Sequence, residues 1–129
     1  MEESKPDFTF EDLEIWKEAR DMRNQISKLV KVFPKEEKYR LSDQLIRASR
    51  SVTANLAEGY GRFHYKENIQ FCRQARGSLF ELIDHLTVAL DEKYINTDEF
   101  NSLRAKCYNL IKKLNSYIKY LKIQTEKTK

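Results

Sequence analysis

Glycine, proline, cysteine and histidine are scarce in this chain of 129 residues, which has three glycines, two prolines, two cysteines and two histidines. Together with 34% charged and 40% hydrophobic residues, this composition is typical of long helices rather than of a β-sandwich or a disordered tail. The length suits one domain with one hydrophobic core. The sequence therefore predicts a single all-α domain.

Several motifs that carry chemistry are also missing. Cys72 and Cys107 lack the paired spacing of a zinc site. Glu81 and His85 are four residues apart, whereas di-iron helix bundles use Glu and His three apart. No Gly-Lys-Ser/Thr follows Gly59 and no Gly-x-Ser-x-Gly occurs, which excludes a P-loop and a hydrolase nucleophile elbow. We expect no enzymatic activity, no catalytic residues, no metal and no cofactor.

No apolar run is long enough to cross a bilayer, and none at the N-terminus is typical of a signal peptide. The chain is therefore expected to be cytoplasmic, with no membrane partner. In that compartment a disulfide is not expected. Both cysteines fall on apolar helix stripes, which predicts buried thiols that pack as small hydrophobic groups.

Apolar residues at steps of three and four predict four amphipathic helices between a flexible lead-in at residues 1–9 and a polar tail at residues 125–129. Pro34 should end the first helix and Gly59 the second, and Asn96 with Glu99 resembles a capping box that opens the fourth. Short connections between such helices predict an antiparallel up-down four-helix bundle over residues 10–124.

The predicted third helix, about residues 65–93, has two apolar stripes instead of one. The second stripe consists of Phe71, Ala75, Ser78, Leu82 and Ala89. A helix in a lone small bundle needs only one stripe, so the excess favours another copy of the chain as partner. The alternative is that this helix occupies the centre of its own bundle.

A polar cluster is predicted where the second and third helices meet. Residues 48–62 read ASRSVTANLAEGYGR, and such small residues let another backbone approach. Arg76 lies at an apolar-stripe position, so the arginine needs a carboxylate or carbonyl groups there. Gly77 follows it, and a glycine inside a helix indicates that another backbone approaches closely at that point. We predict a structural polar clasp formed by Asn55, Glu58, Arg73 and Arg76. The alternative is a pocket for a small anion or ligand.

The formal charge is +4, but it is unevenly placed. Residues 95–129 hold eight basic and three acidic residues, and tyrosines are interleaved with the lysines. Lysines with aromatic residues can bind phosphates and stack bases. The candidate nucleic-acid-binding residues are Lys112, Lys113, Lys119 and Lys122, followed by Arg47 and Arg50. The alternative is an ordinary solvated face.

Two segments of the sequence carry a family resemblance: residues 44–62 read QLIRASRSVTANLAEGYGR and residues 71–82 read FCRQARGSLFEL. Both resemble the bacterial family of 23S rRNA-intervening-sequence proteins. Residues 10–16 and 33–37 extend the resemblance, which runs from about residue 10 to residue 121. The chain departs from the family in having Val52-Thr53 where Ile-Pro is common.

The resemblance implies an up-down four-helix bundle that assembles as a ring-like homopentamer. Relatives include an accessory protein of diversity-generating retroelements, which binds nucleic acid and a reverse transcriptase. It implies no catalytic residues. We therefore predict a non-enzymatic, homo-oligomeric bundle that binds RNA or DNA with low sequence specificity. The alternative is a scaffold that presents a ring surface to a partner enzyme.

Overall fold

The structure, a computed structural model, describes residues 4–128. Four helices make up most of this part of the chain: α1 (Glu14–Leu29), α2 (Leu41–Tyr60), α3 (Tyr65–Asp91) and α4 (Thr97–Lys127). Three short 3₁₀ turns lie at Phe10–Asp12, Val30–Val32 and Lys35–Glu37. Residues 4–128 contain no β-strand, so the prediction of an all-α protein with four helices is confirmed.

The helix boundaries follow the sequence signals closely. Ahead of Pro34, Phe33 takes an extended backbone conformation, as expected of a residue before proline. The Asn96 side chain accepts a hydrogen bond from the Glu99 amide at 2.8 Å, and Glu99 Oε1 accepts one from the Asn96 amide at 3.1 Å. The predicted capping box is therefore confirmed. Helix α4 continues to Lys127, so the first three residues of the predicted polar tail are helical.

The end of α3 carries a feature that the sequence did not reveal. Lys93 has a φ of 65°, in the left-handed region that glycine normally occupies. The Tyr94 amide donates to the Ala89 carbonyl and the Lys93 amide to the Leu90 carbonyl, both at 2.9 Å. This pair of bonds is the Schellman motif, built here on a lysine.

The helices pack in cyclic order around one core. Contacts join α1 to α2, α2 to α3, α3 to α4 and α1 to α4, whereas no Cα atom of α2 lies within 8 Å of a Cα atom of α4. Helix α3 uses both its stripes inside the chain: Ala75, Ser78, Leu82 and Ala89 of the second stripe are buried, as are Cys72, Leu79 and Leu86. The second stripe of α3 is thus mostly covered within one chain, although Phe80 and Val88 of the same helix are exposed.

Both cysteines lie in this core. Cys72 and Cys107 are fully buried and unpaired, so their prediction as small packing groups is confirmed. Burial raises the pKa of both thiols to about 12, because the charged thiolate loses its hydration. Neither thiol is set up to act as a nucleophile at neutral pH.

Candidate nucleic-acid interface

Helix α4 presents an uninterrupted run of positive charge. Between Phe100 and Thr125 it carries six basic residues and no acidic residue: Arg104, Lys106, Lys112, Lys113, Lys119 and Lys122. Lys112 and Lys119 are seven residues, or about two turns, apart and therefore share one face. Both are exposed, as is Lys122. Within residues 4–128 none of these three ammonium groups forms an ion pair.

Lys113 belongs to a different side of α4. Its ammonium group lies 2.8 Å from Glu18 Oε1 of α1, and Lys106 donates to Gln25 Oε1 of α1 at 2.9 Å. These two bridges stabilise the junction between α1 and α4. The structure therefore groups Lys112, Lys119 and Lys122 and separates Lys113 from them.

The arginines predicted as a second basic group also lie elsewhere. Arg47 and Arg50 are exposed on α2, no Cα atom of which lies within 8 Å of a Cα atom of α4. Arg47 lies 3.7 Å from Asp43 one turn earlier. These arginines therefore lie on a helix that is not a direct neighbour of the one that carries the lysines.

The predicted polar clasp does not form as expected. Glu58 is exposed and accepts a hydrogen bond from Arg62 at 2.8 Å, rather than one from Arg76. Arg76 instead donates to Asn115 Oδ1 of α4 at 2.8 Å. The arginine is half-buried at the edge of α3, so a neutral amide and solvent are enough to satisfy it.

The other two residues of the predicted clasp are not joined to this pair either. Asn55 donates to the carbonyl and hydroxyl oxygens of Ser51 in its own helix, at 2.9 and 3.0 Å. Arg73 is exposed. The polar contact between α2 and α3 is instead made by Ser78, whose hydroxyl lies 2.8 Å from Ser51 Oγ. The sequence analysis predicted that charged side chains join α2 to α3, whereas in the structure two serine hydroxyl groups do so.

The close approach of α2 and α3 occurs at Gly59. A Cβ added there would lie 2.6 Å from Asn68 Oδ1 and 2.9 Å from Phe71 Cβ. At Gly77, where the sequence suggested close approach, an added Cβ would meet nothing within 4 Å. The small residues of α2 therefore allow the backbones of α2 and α3 to come close, as predicted. The α3 residues that Gly59 meets lie near the start of that helix rather than at its middle.

An aromatic cluster that the sequence reasoning missed occupies one end of the molecule. The segment before α1, the α2–α3 connection with the adjoining helix ends, and the C-terminal part of α4 meet around an open pocket of about 370 Å³. Its aromatic residues are Phe8, Tyr60, Phe63, Tyr65, Tyr117 and Tyr120, and we call them the aromatic end. The signal available in the sequence was the segment Tyr60–Tyr65, which places four rings, including His64, within six residues.

Two ring pairs and one amide organise the aromatic end. The rings of Tyr117 and Tyr120 are 6.2 Å apart at 25°, and those of Phe8 and Tyr60 are 6.3 Å apart at 47°. Buried Asn68 donates to the Tyr117 hydroxyl at 3.3 Å. Burial raises the pKa of Tyr117, so this hydroxyl stays neutral at physiological pH.

Other kinds of site find little support in the described residues. Residues 4–128 contain no group of three or more His, Cys, Asp or Glu side chains placed to hold a metal ion. None of the helices in that range is long and apolar enough to span a bilayer. His85 is partly buried beside Glu81, with 3.3 Å between Nε2 and Oε1.

Comparisons with known proteins identify relatives. The sequence matches the family model described as 23S rRNA-intervening sequence protein over residues 11–116, which confirms the resemblance. The structure is similar to a crystal structure from Bacteroides thetaiotaomicron, of a protein with unknown function from the S23 ribosomal protein family. Those two chains share 23% identity with a TM-score of 0.76, and the match covers 81% of this chain and 95% of that chain. At this identity the likeness establishes the fold. No curated protein matches the sequence.

Proposed function

We propose that this chain, which belongs to the 23S rRNA-intervening sequence protein family, is a non-enzymatic protein that binds RNA or DNA through α4. The observation that carries the proposal is the part of that helix between Phe100 and Thr125, which holds six basic residues and no acidic one. Lys112, Lys119 and Lys122 can contact phosphates because they are exposed and form no ion pair within residues 4–128. Such contacts position a nucleic acid but do not read its sequence.

We further propose that the four helices run up and down as an antiparallel bundle and that several copies associate. The cyclic contact order and the short connections support the bundle. An exposed surface between α3 and α4 supports self-association. There Phe80 and Tyr108 are about half exposed and their rings are 6.2 Å apart, and Val88 is also exposed. A homopentamer is the form that the family resemblance implies, and sedimentation velocity measures it directly.

The test is a fluorescence-anisotropy titration with structured RNA and with duplex DNA across a salt series. Each lysine–phosphate contact contributes roughly 0.9 to the slope of log Kobs against log salt on B-DNA. The double variant Lys112→Glu/Lys119→Glu should therefore weaken binding to every sequence and reduce the slope for duplex DNA by about 2.

The matched control is Arg47→Glu/Arg50→Glu, which changes the net charge by the same amount on α2. We expect this control to weaken binding much less, because α2 is not a direct neighbour of α4 in the bundle. Equal losses in both variants would show that binding is not localised on α4 and would refute an interface on that helix alone. No salt-dependent binding to either nucleic acid would refute the proposed function itself.

The second candidate function is a scaffold that presents a surface to a partner protein. The exposed pair of Phe80 and Tyr108 favours it, because aromatic residues are enriched at protein interfaces. Phe80→Ala should abolish capture of a partner by this surface and leave nucleic-acid binding intact. If Phe80→Ala changes neither capture of a partner nor sedimentation, this surface has neither role.

A further inference from the structure

We infer that the aromatic end is a binding site for unpaired bases, so that the nucleic acid bound is single-stranded where it meets this end of the molecule. The inference rests on the proposed function and names its substrate class. The first supporting observation is that several of these rings are exposed to solvent: Phe63 is 100% exposed, and Phe8 and Tyr120 are each exposed by half or more. Large exposed aromatic rings gathered in one place mark an interaction surface.

The pocket is large enough for a flat ring and is lined by aromatic side chains. Its volume of about 370 Å³ falls within the range of small-molecule sites. The Tyr117–Tyr120 pair and the Phe8–Tyr60 pair line it, and Phe63 stands beside it. Bases stack on aromatic side chains irrespective of sequence, since every base has a π-face.

A second pocket adjoins the first and supplies polar groups. It measures about 410 Å³, shares Phe63, His64 and Tyr65 with the first, and adds Lys66 and Thr125. Lys66 is exposed and forms no ion pair within residues 4–128. A strand whose bases enter the aromatic pocket can thus lay its phosphates near a lysine.

The charge of α4 favours the same occupant over an apolar peptide. Tyr117 and Tyr120 lie on the turns of α4 that also carry Lys119 and Lys122. Nearby Arg62 is already engaged, with Glu58 at 2.8 Å, Glu67 at 3.7 Å and the Phe71 ring 4.9 Å away. The two lysines are exposed and form no ion pair within residues 4–128, so they are available to a polyanion. Stacking rings beside cationic side chains are the combination that single-strand-binding surfaces use. A duplex cannot supply bases to this pocket without unpairing them.

The experiment compares three labelled probes of equal length on the full chain: a 12-nucleotide deoxythymidine oligomer, the same backbone with abasic sites throughout, and a duplex. We expect the base-containing single strand to bind at least fivefold more tightly than the abasic strand, since stacking on one aromatic residue is worth about that factor or more. Phe63→Ala and Tyr120→Ala should remove this difference and leave abasic binding unchanged. Phe63 is fully exposed, so its variant will fold, and a thermal melt verifies it.

The control variant is Tyr39→Ala, which removes another exposed aromatic ring from the α1–α2 connection, outside this pocket. It should leave all three affinities unchanged. If base-containing and abasic strands bind equally and Lys112→Glu/Lys119→Glu weakens both, the proposed function stands and the inference is overturned. If Tyr39→Ala acts like Phe63→Ala, stacking is not localised and the inference is also overturned. If no probe binds at any salt concentration, both the proposed function and the inference fail.

Discussion

The two helical glycines at positions 59 and 77 should respond to alanine with opposite signs. At Gly77, inside α3, alanine gains about 1 kcal/mol of helix propensity over glycine. At Gly59, the last residue but one of α2, the gain is at most about that value. At Gly77 nothing lies within 4 Å of the new methyl group. Gly77→Ala should therefore stabilise the protein by about 1 kcal/mol.

At Gly59 the same methyl group meets α3. The new carbon would lie 2.9 Å from Phe71 Cβ and 3.2 Å from the Asn68 carbonyl oxygen. Neither neighbour is the flexible end of a side chain, so the two helices must move apart. Overpacking of this kind costs typically 1–3 kcal/mol or more. After the propensity gain is subtracted, Gly59→Ala should destabilise the protein by up to about 2 kcal/mol.

Urea unfolding followed by circular dichroism measures both variants, at two protein concentrations so that any association is visible. A gain of stability in both variants would refute the assignment of Gly59 as the point of close approach. A loss in Gly77→Ala would refute the open environment of that residue and place another chain against the outer face of α3. In melting temperature, each kcal/mol corresponds to roughly 3–5 °C for a domain of this size.

Three further predictions concern stability. Lys93→Gly should raise the free energy of unfolding by about 1 kcal/mol in urea melts, because Lys93 adopts a φ of 65° that glycine tolerates better; a loss would show that the lysine side chain stabilises the turn. Burial raises the pKa of Cys72 and Cys107 from the ordinary 9.0 to about 12, so the unfolded thiols ionise first and stability should fall as the pH rises from about 9 towards 12. Cys72→Ala/Cys107→Ala should show a shallower fall over that range, and equal slopes would contradict the shift. Glu58→Ala should change stability by no more than about 0.5 kcal/mol, because its pair with Arg62 is exposed. A loss of several kcal/mol would show that Glu58 forms a buried ion pair, as in the predicted clasp.

The helices could be predicted from the sequence because their signals are local. The spacing of Ile15, Ala19, Met22 and Ile26 by three and four residues is a property of one helix, and all four are buried. The Asn96–Glu99 capping box likewise lies within one turn. Periodicity gives the buried face of a helix without saying which other helix covers it.

The site could be predicted only in part because partner choice is not local. Lys112 and Lys113 are neighbours in sequence, yet consecutive helical residues point about 100° apart, and only Lys113 reaches Glu18. Glu58 and Arg76 had suitable chemistry for a clasp, but each finds a nearer partner in Arg62 or Asn115. The aromatic end was not predicted because its residues come from three separate parts of the chain, represented by Phe8, Phe63 and Tyr120.

The two ends of the molecule differ in a way that bears on where a ligand can bind. At one end the Tyr94 hydroxyl donates to Glu37 Oε2 at 2.8 Å, and the rings of Phe33 and Tyr94 are 5.2 Å apart. That carboxylate raises the pKa of Tyr94 to about 12, so the phenol keeps its proton and the bond joins the two connections there.

At the aromatic end, by contrast, the Phe63 ring is left entirely to solvent. An exposed ring contributes little to folding, so its removal tests binding without a large loss of stability. If Phe63→Ala lowered the free energy of unfolding by more than about 1 kcal/mol, the ring would have a packing partner in the folded protein. The exposure of Phe63 would then no longer support a role in stacking on the bases of a bound strand.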